Sequence, residues 1–413
     1  MFKKLLVFLF LFLSIPTFCN ASAGSLVKIG NNYYETLEEA IANASSTDTI
    51  ALVSDVKLDD TLTIDKVINI NLNGKTISAP SNVFLVENGT LNVSGTGIIK
   101  ESEPNYGAIM LKGSTNSSDE DYSVVNVSKD VMLEGWSGIF INRNYSSAYG
   151  VEVNFSGKIN AVSDTSGGEG VGIYINGNIQ HTNNAPVVNI KDGAEIISNG
   201  NGLYIAGYST FNIGDAYISG KESGIGIKAG VLNIDGATVV SDGEDKTPTE
   251  GYQNGIKASG TALQIESNNG YAGNIKIDIN SGEFKSENSN TIYEYIGRGT
   301  ETQVKELNIS GGTFLSNNKD VFRISNSLKN THNTFISGGS YSSDPSEYLK
   351  TGYTSALDNN MYKVVKSTMK EVNGFGSNSS NKGIGKIIFI SLTVIVLSFI
   401  AYLNRKKILN IFK

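Results

Sequence analysis

The residues VVNIKDGAEIISNGNGLYIAG, 187–207, are followed after Tyr208 by STFNIGDAYISGKESGIGIKAG, 209–230. The second stretch repeats the pattern of the first with different residues: an apolar-Asn-Ile triplet, a glycine-bearing break, a short β-branched run, and a glycine-opened run of alternating apolar positions. Such copies indicate a supersecondary unit that cannot bury its apolar face alone and must stack on its neighbours. Working outward, the triplet recurs in LNVSG (from 91), VNVSK (125), VNFSG (153), VNIKD (188), FNIGD (211), LNIDG (232) and LNISG (307), with weaker relatives IDINSG (277) and TFISGG (334). A second run follows each triplet, as in GIIKES, VMLEG, AEIIS, AYISG and ATVVS. A third comes next: AIMLKG, GIFINR, GIYING, GLYIAG, GIGIKAG, GIKASG and VFRIS.

Each run alternates apolar and polar residues and is bounded by Gly, Asn, Asp or Ser, which is the pattern of a half-buried strand between turns. Three strands make a rung of about 22 residues, and stacked rungs place every strand in parallel register with its copies, about 4.8 Å away. The expected fold is therefore all-β, a parallel β-helix with three strands per rung over 81–340. Surplus residues fall in corner loops such as 144–150, 178–185 and 244–253. Within each triplet the flanking residues point inward, so Asn92, Asn126, Asn154, Asn189, Asn212 and Asn233 are expected to form an outer ladder of stacked amides.

Open β edges require caps. ETLEEAIANA (35–44) carries a capping box, Thr36-x-x-Glu39, with Leu37, Ala40, Ile41 and Ala44 at helical spacing, and predicts a helix over the first rungs of a 24–80 cap. Residues 341–366 depart from the repeat and are expected to close the coil.

Outside the coil, Lys3 and Lys4, an apolar run from Leu5 to Ile15, and Ala21-Ser22-Ala23 have the parts of a signal peptide, 1–23, which contains the chain's one cysteine, Cys19. Residues 367–385 read as a Gly/Ser/Asn-rich stalk. Residues 386–404 are long and apolar enough to span a bilayer, and Arg405-Lys406-Lys407 in the tail 405–413 orient it with that tail in the cytoplasm. The expected setting is a single-pass type I cell-membrane protein with an extracellular ectodomain. Of 33 Lys and Arg, two precede residue 24 and six lie from Lys382 onward, whereas all 40 Asp and Glu lie between. The ectodomain is strongly acidic, which excludes nucleic acid as a partner.

VKIGNNYYETLEEAIANA (27–44), DTIALVSDVKLDDTLTIDKVININLNGKTI (48–77) and GGSYSSDPSEYLKTGYTSALDNNMYKVV (338–365) resemble the caps of pectate-lyase-like, right-handed parallel β-helix surface proteins of Gram-positive bacteria. The resemblance implies a right-handed coil and a cell-surface setting. Enzymes of that fold cleave acidic polysaccharides with clustered carboxylates and a Lys or Arg. Here Arg143, Arg298 and Arg323 are the exported arginines, Asp59-Asp60 is the one Asp pair, and His181 and His332 lie far apart. No catalytic constellation emerges. Nor is a cofactor implied, Asp119-Glu120-Asp121 being the one candidate Ca²⁺ site.

The third strand carries the most suggestive feature. Its alternation places Met110, Phe140, Tyr174 and Tyr204 outward on four successive rungs, with Gly226, Lys257 and Arg323 following, and Trp136, Tyr145 and Tyr149 near the start. Such a stripe is either a structural stacking ladder or a platform on which sugar rings lie. Three functions stand open: adhesion to a glycan or to a host or cell-wall partner, a polysaccharide lyase or hydrolase using the same face, or a structural spacer.

Overall fold

The computed structural model describes residues 24–103, 106–120, 122–141, 149–161, 170–176, 183–248 and 258–367. Both residues 1–23, expected to be a signal peptide, and the apolar segment 386–404 lie outside these. Among the described residues no helix is long and apolar enough to cross a membrane.

The chain is mostly β, in one sheet of 23 strands and one of 10 among the described residues. Thr90–Ser94 and Gly97–Glu101 enter the larger sheet and Gly107–Lys112 the smaller; the next 30 or so residues repeat this with Ser123–Val127, Val131–Glu134 and Ser137–Ile141. The pairing is parallel and in register, Asn92 with Asn126, Ile99 with Leu133 and Ile109 with Ile139. This is a β-helix-like coil. Its core is a set of columns, one of them Leu91, Val125, Val153, Val188, Phe211, Leu232, Ile277 and Leu307, all buried. Burying one such side chain stabilises by about 1.5–3 kcal/mol, while ordering each residue's backbone costs about 1–2, so a rung holds only where neighbours cover both its faces.

Glycine opens the third run for a steric reason. A Cβ on Gly172 would lie 2.3 Å from Ile196 Cγ2 and from the Gly202 carbonyl oxygen, and one on Gly202 would lie 2.6 Å from Ile218 Cγ2 and the Gly224 carbonyl. At this corner the third strand passes directly over the β-branched residue of the second.

One strand differs from expectation. GIKASG (255–260) was the expected third run of its rung, but Thr261–Asn268 takes that place, Leu263 pairing with Ile225 and Ile265 with Ile227. TALQIESN supplies apolar residues at both inward positions, whereas GIKASG follows Ile256 with Ala258. Residues 249–257, Lys257 included, lie outside the described residues.

The asparagine ladder is present and longer than the triplets suggested. Asn92 donates to Asn69, and Asn126, Asn154, Asn189, Asn212 and Asn233 each donate Nδ2 to the Oδ1 one rung earlier, at 2.7–3.0 Å. Asn69 ends the run on the carbonyls of Ser46 and Asp48. On the rung after Asn233 the position is Asp278, a carboxylate that accepts from Asn308 and has no N–H to donate. Asp278→Asn is expected to join the two segments, leaving the Asn308 bond in place and adding one to Asn233 Oδ1. A gain of about 1 kcal/mol in stability is expected, read as a higher denaturant midpoint.

The caps follow their local sequence. Leu37–Asn43 is helical, its N-cap Thr36 accepting from the Glu39 N–H at 3.1 Å, with Leu37, Ala40 and Ile41 buried. At the other end a short helix, Asn326–Thr331, is capped by Ser325. An antiparallel hairpin of Tyr353–Asp358 and Met361–Lys366 then finishes the larger sheet.

Candidate functional site

The outward column of the smaller sheet is built as the alternation predicts. Met110, Phe140, Tyr174 and Tyr204 occupy adjacent register positions. Phe140 and Tyr174 have ring centroids 4.4 Å apart, Tyr174 and Tyr204 4.9 Å apart, and Trp136 stacks on Phe140 at 5.8 Å. Exposure differs from the open stripe of the sequence reading. Phe140 is 3% and Tyr204 1% exposed, whereas Trp136, Tyr174 and Met110 are half-buried. Tyr204 is enclosed by Val171, Ala206, Ala229 and Tyr271, a packed cluster outside the coil's core. The accessible part of the stack is thus its Trp136 and Tyr174 edge.

Beyond Tyr204 the column continues as Gly226, Gln264, Tyr293 and Arg323. At Gly226 the space a side chain would take is bounded by Asn201 and Ser223, and Lys228, two residues on, sets its Nζ 5.4 Å from the Tyr204 ring centroid and 5.1 Å from that of Tyr271. Lys228 pairs with Glu266 at 2.9 Å, each 2% exposed. Tyr295 donates its hydroxyl to Glu266 Oε2 at 2.8 Å, and Asn268 donates Nδ2 to Oε1 at 2.7 Å. Burial pushes the Tyr204 phenol well up, with Tyr271 adding to it; burial and then the Glu266 charge do the same to Tyr295. Both phenols therefore stay protonated at neutral pH. Farther along, the Arg323 guanidinium lies 4.3 Å from the Tyr293 ring centroid.

A second buried carboxyl adjoins the stack's open edge. Glu101 accepts the Trp136 backbone N–H on Oε2 at 3.1 Å, and the indole Nε1 of Trp136 is buried without a hydrogen-bond partner among the described residues. Burial raises the Glu101 carboxyl to about 7, against the backbone donors of Trp136, Glu103 and Tyr106 that lower it. The folded state then holds a proton that the unfolded chain releases near 4.5. This linkage makes stability fall as pH rises from about 4.5 to about 7, and level off above. Glu101→Gln is expected to flatten that dependence and remove a loss of about 1–2 kcal/mol, read from thermal midpoints at pH 5 and pH 8.

The remaining candidates do not join this site. Tyr149 is buried within the coil's core. Tyr145, Arg143 and His181 lie outside the described residues. Asp119 accepts from Ser114 and Asn116, and Asp121, the third member of the candidate Ca²⁺ site, lies outside the described residues. His332 ends the short helix over the last rungs, far along the chain from Trp136. On the larger sheet, a shallow groove of about 560 Å³ has Ile197 and Tyr217 exposed between Glu195, Asp215 and Thr238.

Comparison of the chain with known families, known proteins and solved structures returns no match. The chemistry must be read from the site itself. The half-buried Trp136 and Tyr174 edge can stack on a ring, while the Glu101 carboxyl beside it is buried and turned to the backbone. The other end, a charge pair sealed under phenols, offers no open base.

Of these groups Lys228, Glu266, Tyr271, Tyr295 and Glu101 were not singled out from sequence. Lys228 and Glu266 each stand two residues beyond the outward position of their strands, and that parity is the one signal they carry.

Proposed function

We propose that this chain is a membrane-anchored cell-surface protein, a right-handed parallel β-helix with three strands per rung. In this reading residues 386–404 hold it in the membrane, and the ectodomain binds a glycan or a host or cell-wall partner. The observation that carries it is the graded aromatic stack: three in-register rings, Phe140, Tyr174 and Tyr204, with Trp136 stacked on the first, the Trp136 and Tyr174 edge accessible and the far end sealed by Lys228 and Glu266. Rings held this rigidly suit sugar faces, which stack without needing charge. The acidic ectodomain disfavours an acidic glycan and favours a neutral or cationic one.

A polysaccharide-cleaving reading draws on Glu101, a carboxyl raised to about 7 beside Trp136, and requires a movement that opens its buried oxygens to a substrate. It requires a second carboxylate facing the first across a substrate.

The test is a glycan array probed with residues 24–366, which lie within one compact unit, beside Trp136→Ala, Tyr174→Ala and the groove variant Tyr217→Ala. Binding that falls at least tenfold with Trp136→Ala or Tyr174→Ala and survives Tyr217→Ala is the expected result. Loss confined to Tyr217→Ala would move the site to the other sheet. No binding by any form points to a protein partner or a spacer, and chain cleavage of a bound polysaccharide to the enzyme.

A further inference from the structure

Lys228 and Asn268 each contact the one Glu266 carboxylate. Glu266 Oε2 is 2.9 Å from Lys228 Nζ, and Oε1 accepts from Asn268 Nδ2 at 2.7 Å. Lys228 and Glu266 are 2% exposed and Asn268 is 1%. The Gly270 backbone N–H donates to Asn268 Oδ1 at 2.9 Å. The amine, the carboxamide and an acid–base group between them are thus buried together under Tyr204, Tyr271 and Tyr295, with a donor already on the carbonyl oxygen.

A buried ion pair retained only for stability is hard to account for, since an apolar pair of similar volume is often as good or better. A carboxylate that also grips a carboxamide beside a lysine amine has a chemical use. We propose that Lys228 and Asn268 become joined by an intramolecular amide bond, with Glu266 as the catalytic residue.

The step balances without any co-reactant. Glu266 takes a proton from the Lys228 ammonium, turning a buried charge pair into a neutral one, and the amine attacks Asn268 Cγ. Negative charge developing on Oδ1 is met by the Gly270 N–H, as at any oxyanion hole. A proton on the attacking nitrogen passes to Nδ2, the Cγ–Nδ2 bond breaks, and ammonia leaves. Glu266 returns its proton to the ammonia, which departs as ammonium, so that one Nζ–Cγ bond replaces one Cγ–Nδ2 bond and nothing is oxidised or reduced. The phenols exclude the water that would otherwise hydrate the amine and compete for the carbonyl.

Such a bond would tie the strand Ser223–Ile227 to Thr261–Asn268, the strand stacked on it after the insertion at 242–260. The chain holds one cysteine, Cys19, and so has no intramolecular disulfide with which to fix that insertion.

The test is a tryptic map of the full chain, purified folded, by tandem mass spectrometry. The expected product is a branched peptide in which the Lys228 and Asn268 segments are joined, lighter than their sum by one ammonia, with no cleavage after Lys228. Glu266→Gln and Lys228→Met are expected to reduce the branched peptide from the dominant form to undetectable. Asn269-Gly270 can lose ammonia by closing a succinimide, but in a linear peptide, so the branch is the readout and not the mass alone. Wild-type chain cleaved after Lys228 and yielding only linear peptides would overturn the bond, whatever the variants do. A branch that persists in Glu266→Gln would overturn the role of Glu266.

Discussion

Glu266→Ala is expected to lower stability by about 3–5 kcal/mol, the cost of leaving a buried cation without its partner. Three groups lose their acceptor at once: Lys228 Nζ, the Tyr295 hydroxyl and Asn268 Nδ2. The Glu266 side chain packs closely on the next strand, where a Cβ on Gly297 would lie 2.4 Å from Glu266 Oε1. The surface pair Lys158–Glu195 is the control, its side chains 51% and 36% exposed. Glu195→Ala is expected to change stability by no more than about 1 kcal/mol. Denaturant midpoints followed by circular dichroism separate the two, and equal losses would show that the buried pair is no different in kind from the surface one.

Phe314→Ala is the second large effect, about 3–5 kcal/mol from lost burial and the cavity left behind. Phe314 is fully buried in the interior and lies between Phe284, centroids 5.0 Å apart and 10° from parallel, and Tyr341, 4.9 Å and 6°. These are successive register partners, Phe284 with Phe314 and Phe314 with Tyr341. In a stacked coil each rung contacts only its neighbours, so the damage should remain local. Hydrogen exchange is expected to accelerate first from residue 313 to the closing hairpin at 353–366, while amides near Asn126 keep their protection. Uniform loss along the chain would show that the coil unfolds as one unit.

Much of the fold was legible because the coil repeats its instructions. Alternation assigned the inward and outward residues, the Asn triplets aligned the rungs, and Thr36 marked the first helix. The candidate site was half legible. Stacking of Phe140, Tyr174 and Tyr204 follows from register, but their burial does not, since Tyr271, which helps enclose Tyr204, comes from a turn with no repeat signature. The charge pair was hidden by one misplaced strand. With GIKASG taken as the third run, Lys257 entered the outward column and Glu266 had no neighbour; with Thr261–Asn268 in place, Glu266 falls directly beside Lys228. Glu101 was obscure for another reason. Its carboxyl turns inward at a corner where charged residues are rarely placed, and only the backbone N–H groups gathered there account for it.

The asparagine ladder makes the coil electrically polar. Every amide in the run from Asn233 to Asn69 points its N–H toward the chain's beginning and its carbonyl toward the end. Aligned amide dipoles add, as they do along a helix. The far segment obeys the same sense: Asn308 donates backward to Asp278, and its own oxygen receives the Lys350 ammonium at 2.7 Å. A cation thus stands at the negative terminus, where a helix would also place one. The consequence concerns how such a coil can change length. A rung carrying asparagine can be inserted anywhere inside the run, since it accepts from one neighbour and donates to the other, and the terminal charge need not be rebuilt. A rung added after Asn308 would displace Lys350 and need a new cation, which makes the interior, not the end, the place where this architecture grows.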